Sequence, residues 1–243
     1  MIAARKVAAF NFVVRRWLSW LLRRRFHGVY IFGTEHLRAL NPGAAVVGCV
    51  NHTNWWDGFV LYVLSWRLLP HDIYLAMEEK NLRRYRFFAW MGVFGVDLSE
   101  RAAALPGMRY ALRLLLPGRL VWMFVQGRLL PPGTPVEVKP GALFLARRAG
   151  AALLPIILRY EWLNESRPSI FVLVGPPMAA STAANELAAV LNDLRGQLDP
   201  RLHPINLNGA ESLFPPRLSV NKRWDYLRHR LWRRREVFDP QNR

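Results

Sequence analysis

Apolar and polar positions alternate along the chain in a way that predicts strands and helices in turn. Gly43 to Val50 (GAAVVGCV) is a short, small and β-branched run, the pattern of a buried strand. Residues 55–68 predict a helix packed in the core, and Ile73–Met77 a second strand. A basic-aromatic stretch, Lys80 to Trp90, follows. Gly92–Leu98 predicts a short strand or turn, and Leu105–Leu116 a helix stopped by Pro117-Gly118. Leu120–Val125 predicts a strand that runs into Gln126-Gly127-Arg128 and a loop rich in Pro and Gly. Gly141–Ala149 predicts a helix closed by Gly150, Leu153–Tyr160 and Ile170–Val174 strands, and Ala183–Leu198 a surface helix beginning near Ser181/Thr182. Such alternation argues for an α/β fold: one domain with a mixed, mostly parallel central sheet flanked by helices.

The ends read differently from the body. Val7, Phe10, Val14, Trp17 and Leu21 recur at steps of three and four, one face of a helix, with Arg5, Arg15, Arg16 and Arg23 on the opposite side. Near the C-terminus Val220, Trp224, Leu227 and Leu231 form a stripe beside Arg223, Arg230 and Arg234. The expected organisation is a basic amphipathic helix over 1–28, a body over 29–216, and a basic amphipathic segment over 217–243. Arginines interrupt the first apolar run and no small-residue cleavage site follows, so a secretory signal is not expected. No stretch offers about 18 uncharged apolar residues, the length of a spanning helix.

Charge sharpens that division. The formal net charge is +17, with 52% hydrophobic and 12% aromatic residues, too apolar for a disordered basic tail. Residues 1–28 carry seven basic side chains and no acid, and residues 217–235 eight basic and one acid. The body holds 18 basic and 14 acidic residues, so the excess sits at the ends. Helices with an apolar-aromatic face and an Arg-rich face suit the surface of an anionic phospholipid membrane. The same geometry also serves a face packed on the body. Nucleic acid is not expected, because no helix-turn-helix, finger or RRM-like signature accompanies the charge. The single cysteine, Cys49, excludes a disulfide scaffold, and no histidine spacing suggests a metal site.

The most informative segment is Asn51-His52-Thr53-Asn54-Trp55-Trp56-Asp57, directly after the predicted buried strand. His52 and Asp57 would lie about 140° apart on a regular helix, so they meet only with His52 in the preceding turn and Asp57 in the first turns. Asp57 then accepts from one imidazole nitrogen and leaves the other free as a base. Asn51 can cap the helix or hold the turn.

This N-H-x-x-x-x-D segment resembles the first motif of the lysophospholipid acyltransferase superfamily. Three further segments follow in the family's order: Gly95-Val96-Asp97-Leu98-Ser99-Glu100-Arg101, Phe124-Val125-Gln126-Gly127-Arg128 and Leu154-Pro155-Ile156. The third block is usually F-P-E-G-T-R, so Val125 and Gln126 replace its Pro and Glu. Glutamine offers only neutral hydrogen bonds. The resemblance spans roughly residues 30–175 and implies an O-acyltransferase without a cofactor. It takes an acyl thioester, acyl-CoA or acyl carrier protein, and acylates a lysophospholipid or another lipid acceptor such as a glycolipid or carotenoid glycoside. It implies His52 as general base oriented by Asp57, with Asn51, Arg101, Gln126, Gly127 and Arg128 toward the acceptor. Backbone N–H groups around Gly127 are candidates for the oxyanion. The implied location is the cytoplasmic face of the cell membrane, peripheral or monotopic. A catalytically silent membrane-surface or lipid-binding module and a basic nucleic-acid-binding protein are the alternatives.

Overall fold

The computed structural model describes residues 1–162, 165–201 and 205–216, with Trp224, Leu227 and Arg228 beyond them. The amphipathic segment expected over 217–243 lies outside the described residues, apart from those three. The chain runs α1 (Ala8–Arg25), β1 (Val29–Phe32), α2 (Thr34–Arg38), β2 (Val46–Val50), α3 (Asp57–Leu68), β3 (Asp72–Glu78) and α4 (Glu79–Arg84). After a 3₁₀ turn over Arg86–Met91 come β4 (Val93–Val96), α5 (Arg101–Leu114), β5 (Arg119–Phe124) and α6 (Pro140–Ala149). The last elements are β6 (Ala152–Glu161), β7 (Ser169–Val174), α7 (Ala184–Gln197) and β8 (Glu211–Phe214).

Eight strands form one sheet in the order β4-β3-β5-β2-β6-β7-β1-β8. From β4 to β6 all neighbours are parallel; β7 turns antiparallel to β6, β1 is parallel to β7, and β8 closes the edge antiparallel. β2 lies between β5 and β6 with every residue buried, as expected of a parallel strand covered on both faces. Leu18 and Leu22 of α1 share one apolar core with Val60, Leu61 and Leu64 of α3. The cluster on the opposite face contains Ala111 of α5, Leu145 of α6 and Leu187 of α7.

Gly48 shows why β2 must read V-V-G-C-V. A Cβ there would fall 1.9 Å from Cε3 of Trp122, so only hydrogen leaves room for the indole. Trp122, on the neighbouring β5, then donates its indole N–H to Ser65 Oγ of α3 at 2.8 Å. Sheet and helix are thereby pinned by one buried polar contact.

Several boundaries differ from the sequence reading. α5 starts at Arg101 rather than Leu105, because Arg101-Ala-Ala-Ala extends the helix with strong helix formers. It ends at Leu114 because Leu116 precedes a proline and avoids the helical region. β1, α2, α4 and β8 were not expected; each has four to six residues, too few for a periodicity to register.

The first helix is rotated from the expected stripe. Asn11, Leu18 and Leu22 are its buried residues, while Val7 and Trp17 are exposed. The cause is Asn11, whose amide donates to the Trp90 carbonyl at 2.6 Å and whose oxygen accepts from the Tyr62 hydroxyl. A buried amide with both ends satisfied fixes which side of the helix turns inward. Phe12, Val13, Trp17 and Trp20 are left on the outside with Arg16 and Arg24, whose guanidinium groups lie over Phe12 and Trp20. Ahead of α1, residues 2–7 run along β4 and the 3₁₀ turn: Ile2 accepts from Gly95 N–H, and Arg5 donates to Ala89. That covers an open sheet edge. No helix among the described residues is long and apolar enough to cross a membrane.

Gly48→Ala is expected to destabilise the fold by about 1–3 kcal/mol through overpacking against Trp122. Urea unfolding followed by tryptophan fluorescence measures it, and an unchanged midpoint would show that the indole does not depend on this gap.

Candidate active site

β2 ends at Val50, and the next seven residues build a turn around one carboxylate. Asp57 is the first residue of α3 and has no solvent exposure. Its Oδ2 accepts from His52 Nδ1 at 2.8 Å and from the backbone N–H groups of Thr53 and Asn54, both at 2.9 Å. Its Oδ1 accepts from the Tyr160 hydroxyl at 2.7 Å. Four donors on one buried carboxylate offset the cost of removing it from water. They also bring His52 and Asp57 together with the histidine in the turn before the helix, the arrangement their spacing demands.

With Nδ1 occupied by Asp57, His52 keeps Nε2, and among the described residues that nitrogen has no partner. The ring stacks on Phe124 at the end of β5, centroids 4.0 Å apart and planes 15° apart. Its side chain is 24% exposed, enough for a reacting hydroxyl to approach. The backbone carbonyl of His52 accepts from Leu130 N–H, which ties the turn to the loop after β5.

Tyr160 is the residue that sequence reading missed. It lies near the end of β6, four residues past the Leu154-Pro155-Ile156 block, and only the strand order brings it to Asp57. Burial and the Asp57 charge push its hydroxyl well above the ordinary tyrosine value, so it remains a proton donor. Phe26, just past α1, packs against Tyr160 and Trp56 with centroids 5.9 and 5.3 Å away. The other proton-bearing group nearby in sequence, Cys49, is wholly buried and its thiol is pushed up by burial, which leaves it inert.

The remaining expected residues divide into two sets. Asn51 is buried, and its amide and oxygen exchange hydrogen bonds with the Leu158 carbonyl and N–H at 2.9 and 2.8 Å. It clamps β2 to β6 and does not cap α3. Gln126 is also buried; its oxygen accepts from His52 N–H at 3.4 Å and its amide donates to the Pro135 carbonyl at 3.3 Å. A glutamate there could not make the second bond, so the neutral side chain suits a positioning role. Gly127 adopts φ +64°, and its N–H is spent on the Phe124 carbonyl, which removes it as an oxyanion donor. A Cβ on Gly127 would come 3.2 Å from Lys139 Nζ, so the glycine makes room for a cation that sequence reading had not singled out. Arg128 and Arg101 are exposed, and neither has an acidic partner among the described residues. Arg101 opens α5 beyond the end of β4. Among the described residues no group of three or more His, Cys, Asp or Glu side chains is arranged to hold a metal ion.

Trp55, Phe59, Phe88 and Phe87 continue outward from the turn as a chain of ring contacts, with Trp55 and Phe87 exposed.

The sequence model of the family described as Acyltransferase matches residues 29–159, more than half of the chain. Among solved structures, the chain is similar to the 1-acyl-sn-glycerophosphate (LPA) acyltransferase PlsC from Thermotoga maritima, with 18% identity and a TM-score of 0.49. That similarity covers 76% of this chain and 75% of the other.

Tyr160→Phe removes one donor from the buried carboxylate while keeping the ring. Turnover in acyl transfer is expected to fall about 10-fold with little change in KM, and stability by about 1–2 kcal/mol. Steady-state kinetics and urea unfolding read the two effects; full turnover in the phenylalanine variant would show that Tyr160 does not govern the dyad.

Proposed function

The chain belongs to the acyltransferase family, and from that premise we propose that it transfers a fatty acyl group from an acyl thioester to a hydroxyl of a lysophospholipid at a membrane surface. The observation that carries this reading is the His52–Asp57 contact with Nε2 left free, inside the matched span. Nε2 takes the proton of the acceptor hydroxyl as its oxygen attacks the thioester carbon. Asp57 stabilises the resulting imidazolium without becoming protonated itself. The tetrahedral intermediate collapses with C–S cleavage; the new ester keeps the acceptor oxygen, and the departing thiolate receives the proton from His52. The thioester is already activated, so the reaction needs no enzyme nucleophile, in keeping with the inert Cys49.

A phosphate on the acceptor fits the cations near the turn. Arg128 and Lys139 flank Gly127, and Arg101 stands at the head of α5; guanidinium groups pair with phosphate in two-point contacts. The altered third motif does not argue for a silent module, because Gln126 is engaged in holding the His52 turn.

For membrane attachment we look to the outer side of α1. Val13, Trp17 and Trp20 are exposed with arginines beside them, the composition of a helix lying in the headgroup region of an anionic bilayer. On this reading the protein works at the cytoplasmic face of the cell membrane, where the thioester donor is delivered.

His52→Ala is expected to lower turnover by about 10³-fold or more while co-sedimentation with anionic vesicles is retained. Acyl transfer from a labelled thioester to lysophosphatidic acid measures the first, and retained activity would sink the mechanism. Replacing both Trp17 and Trp20 by alanine should weaken vesicle binding about 10-fold. Equal pelleting of this variant and wild type would take α1 away from the membrane.

A further inference from the structure

α5 and α6 lie side by side on the sheet face opposite α1. Together they contain five arginines and no aspartate or glutamate. Arg109, Arg113 and Arg148 are exposed, and among the described residues none of the three has an acidic partner. Arg147 is different, since it reaches the Thr182 carbonyl beside α7. One turn closer to the helix N-termini, Leu105 and Phe144 are 48% and 37% exposed, so the face is cationic with an apolar upper part. Like charges on neighbouring helices repel each other, and among the described residues the contact given for these three side chains is that of Arg113 over the Tyr110 ring.

From this face we propose that the acyl donor arrives on an acidic carrier protein, which docks on the outer surface of α5 and α6. The inference rests on the acyl-transfer reading above and names the donor for the same site. Three observations favour a protein over the alternatives. First, the arginines are spread along helices of 14 and 10 residues and form a broad face, whereas a nucleotide-bearing thioester needs a few converging groups in a cleft. Second, a flat bilayer in contact with Trp17 and Trp20 of α1 cannot also touch helices on the opposite side of the sheet, so the partner here is soluble. Third, both helices start at the active-site end. α6 begins immediately after Lys139, which lies against Gly127, and α5 begins with Arg101. A thioester arm extended from a carrier on this face meets the dyad over those N-termini. The arginines supply steering and register, and Leu105 and Phe144 the apolar contact.

The test compares the same acyl group presented on acyl carrier protein and on CoA, with lysophosphatidic acid in vesicles as acceptor. In the variant Arg109→Glu/Arg113→Glu/Arg148→Glu, kcat/KM for the carrier-borne donor is expected to fall at least ~10-fold, while that for the CoA donor stays within about 2-fold. The milder Arg→Gln triple variant should show a smaller loss of the same kind. Raising salt should weaken the carrier reaction of wild type more than the CoA reaction. A parallel titration of carrier protein against each variant, followed by fluorescence anisotropy, reads docking without turnover. Carrier binding that is indifferent to these arginines overturns the proposal, as do equal losses with both donors or a wild type that uses CoA alone. Loss of vesicle binding in the triple variant would assign the face to the membrane instead. A wild type inactive with both donors, yet binding carrier through these arginines, would overturn the acyl-transfer reading and leave the docking face standing.

Discussion

A carboxylate cannot be buried without donors, and Asp57 is buried completely. Its four hydrogen bonds therefore act as constraints on everything around it. Two come from the backbone of Thr53 and Asn54 and shape the turn; one comes from the His52 ring and sets its orientation; one comes from Tyr160 and ties the turn to β6. The beginning of α3, the end of β2 and the far part of β6 are all registered on one side chain. Asn51 reinforces that register by bonding to both backbone groups of Leu158, two residues before Tyr160.

The scaffold explains why such a site holds still. β2 lies between β5 and β6 in the parallel block, and the close approach of Gly48 to Trp122 fixes β2 against β5 and, through Ser65, against α3. Phe124 ends β5 and supports the imidazole from beneath, while Gln126 and Leu130 join the following loop to His52. α1 closes the arrangement on one face, with Phe26 against Tyr160. In the proposed function the helix that would rest on lipid also supports the positioning tyrosine, so attachment and catalysis share a structural element.

Much of this was legible in the sequence for a physical reason. Buried central strands such as Val46–Val50 and Ala152–Glu161 are dense in β-branched and aliphatic residues, and Gly150 marks a helix end by its left-handed conformation. His52 and Asp57 lie within one turn, so their spacing alone dictated how they meet. Tyr160 was hidden because it is 103 residues from Asp57 along the chain, and strand order, not local pattern, unites them. The partners of Asn51 and Gln126, Leu158 for the first and His52 and Pro135 for the second, are not legible because a motif records which residues recur and not which way they point. The face of α1 was misread because its deciding residue, Asn11, is polar and buried, the reverse of what a hydrophobic stripe assumes.

In the proposed mechanism the charge of Asp57, and not merely its shape, makes His52 a base. Asp57→Asn isolates that charge. The amide oxygen can keep the turn and the imidazole, and the amide N–H₂ can donate to a Tyr160 hydroxyl that turns from donor to acceptor. Acyl-transfer kinetics of this variant, with folding checked by its unfolding midpoint, provide the most direct measurement. The expected result is a folded protein whose turnover falls by about 10³–10⁴-fold. A folded variant retaining turnover within about 10-fold of wild type would contradict it.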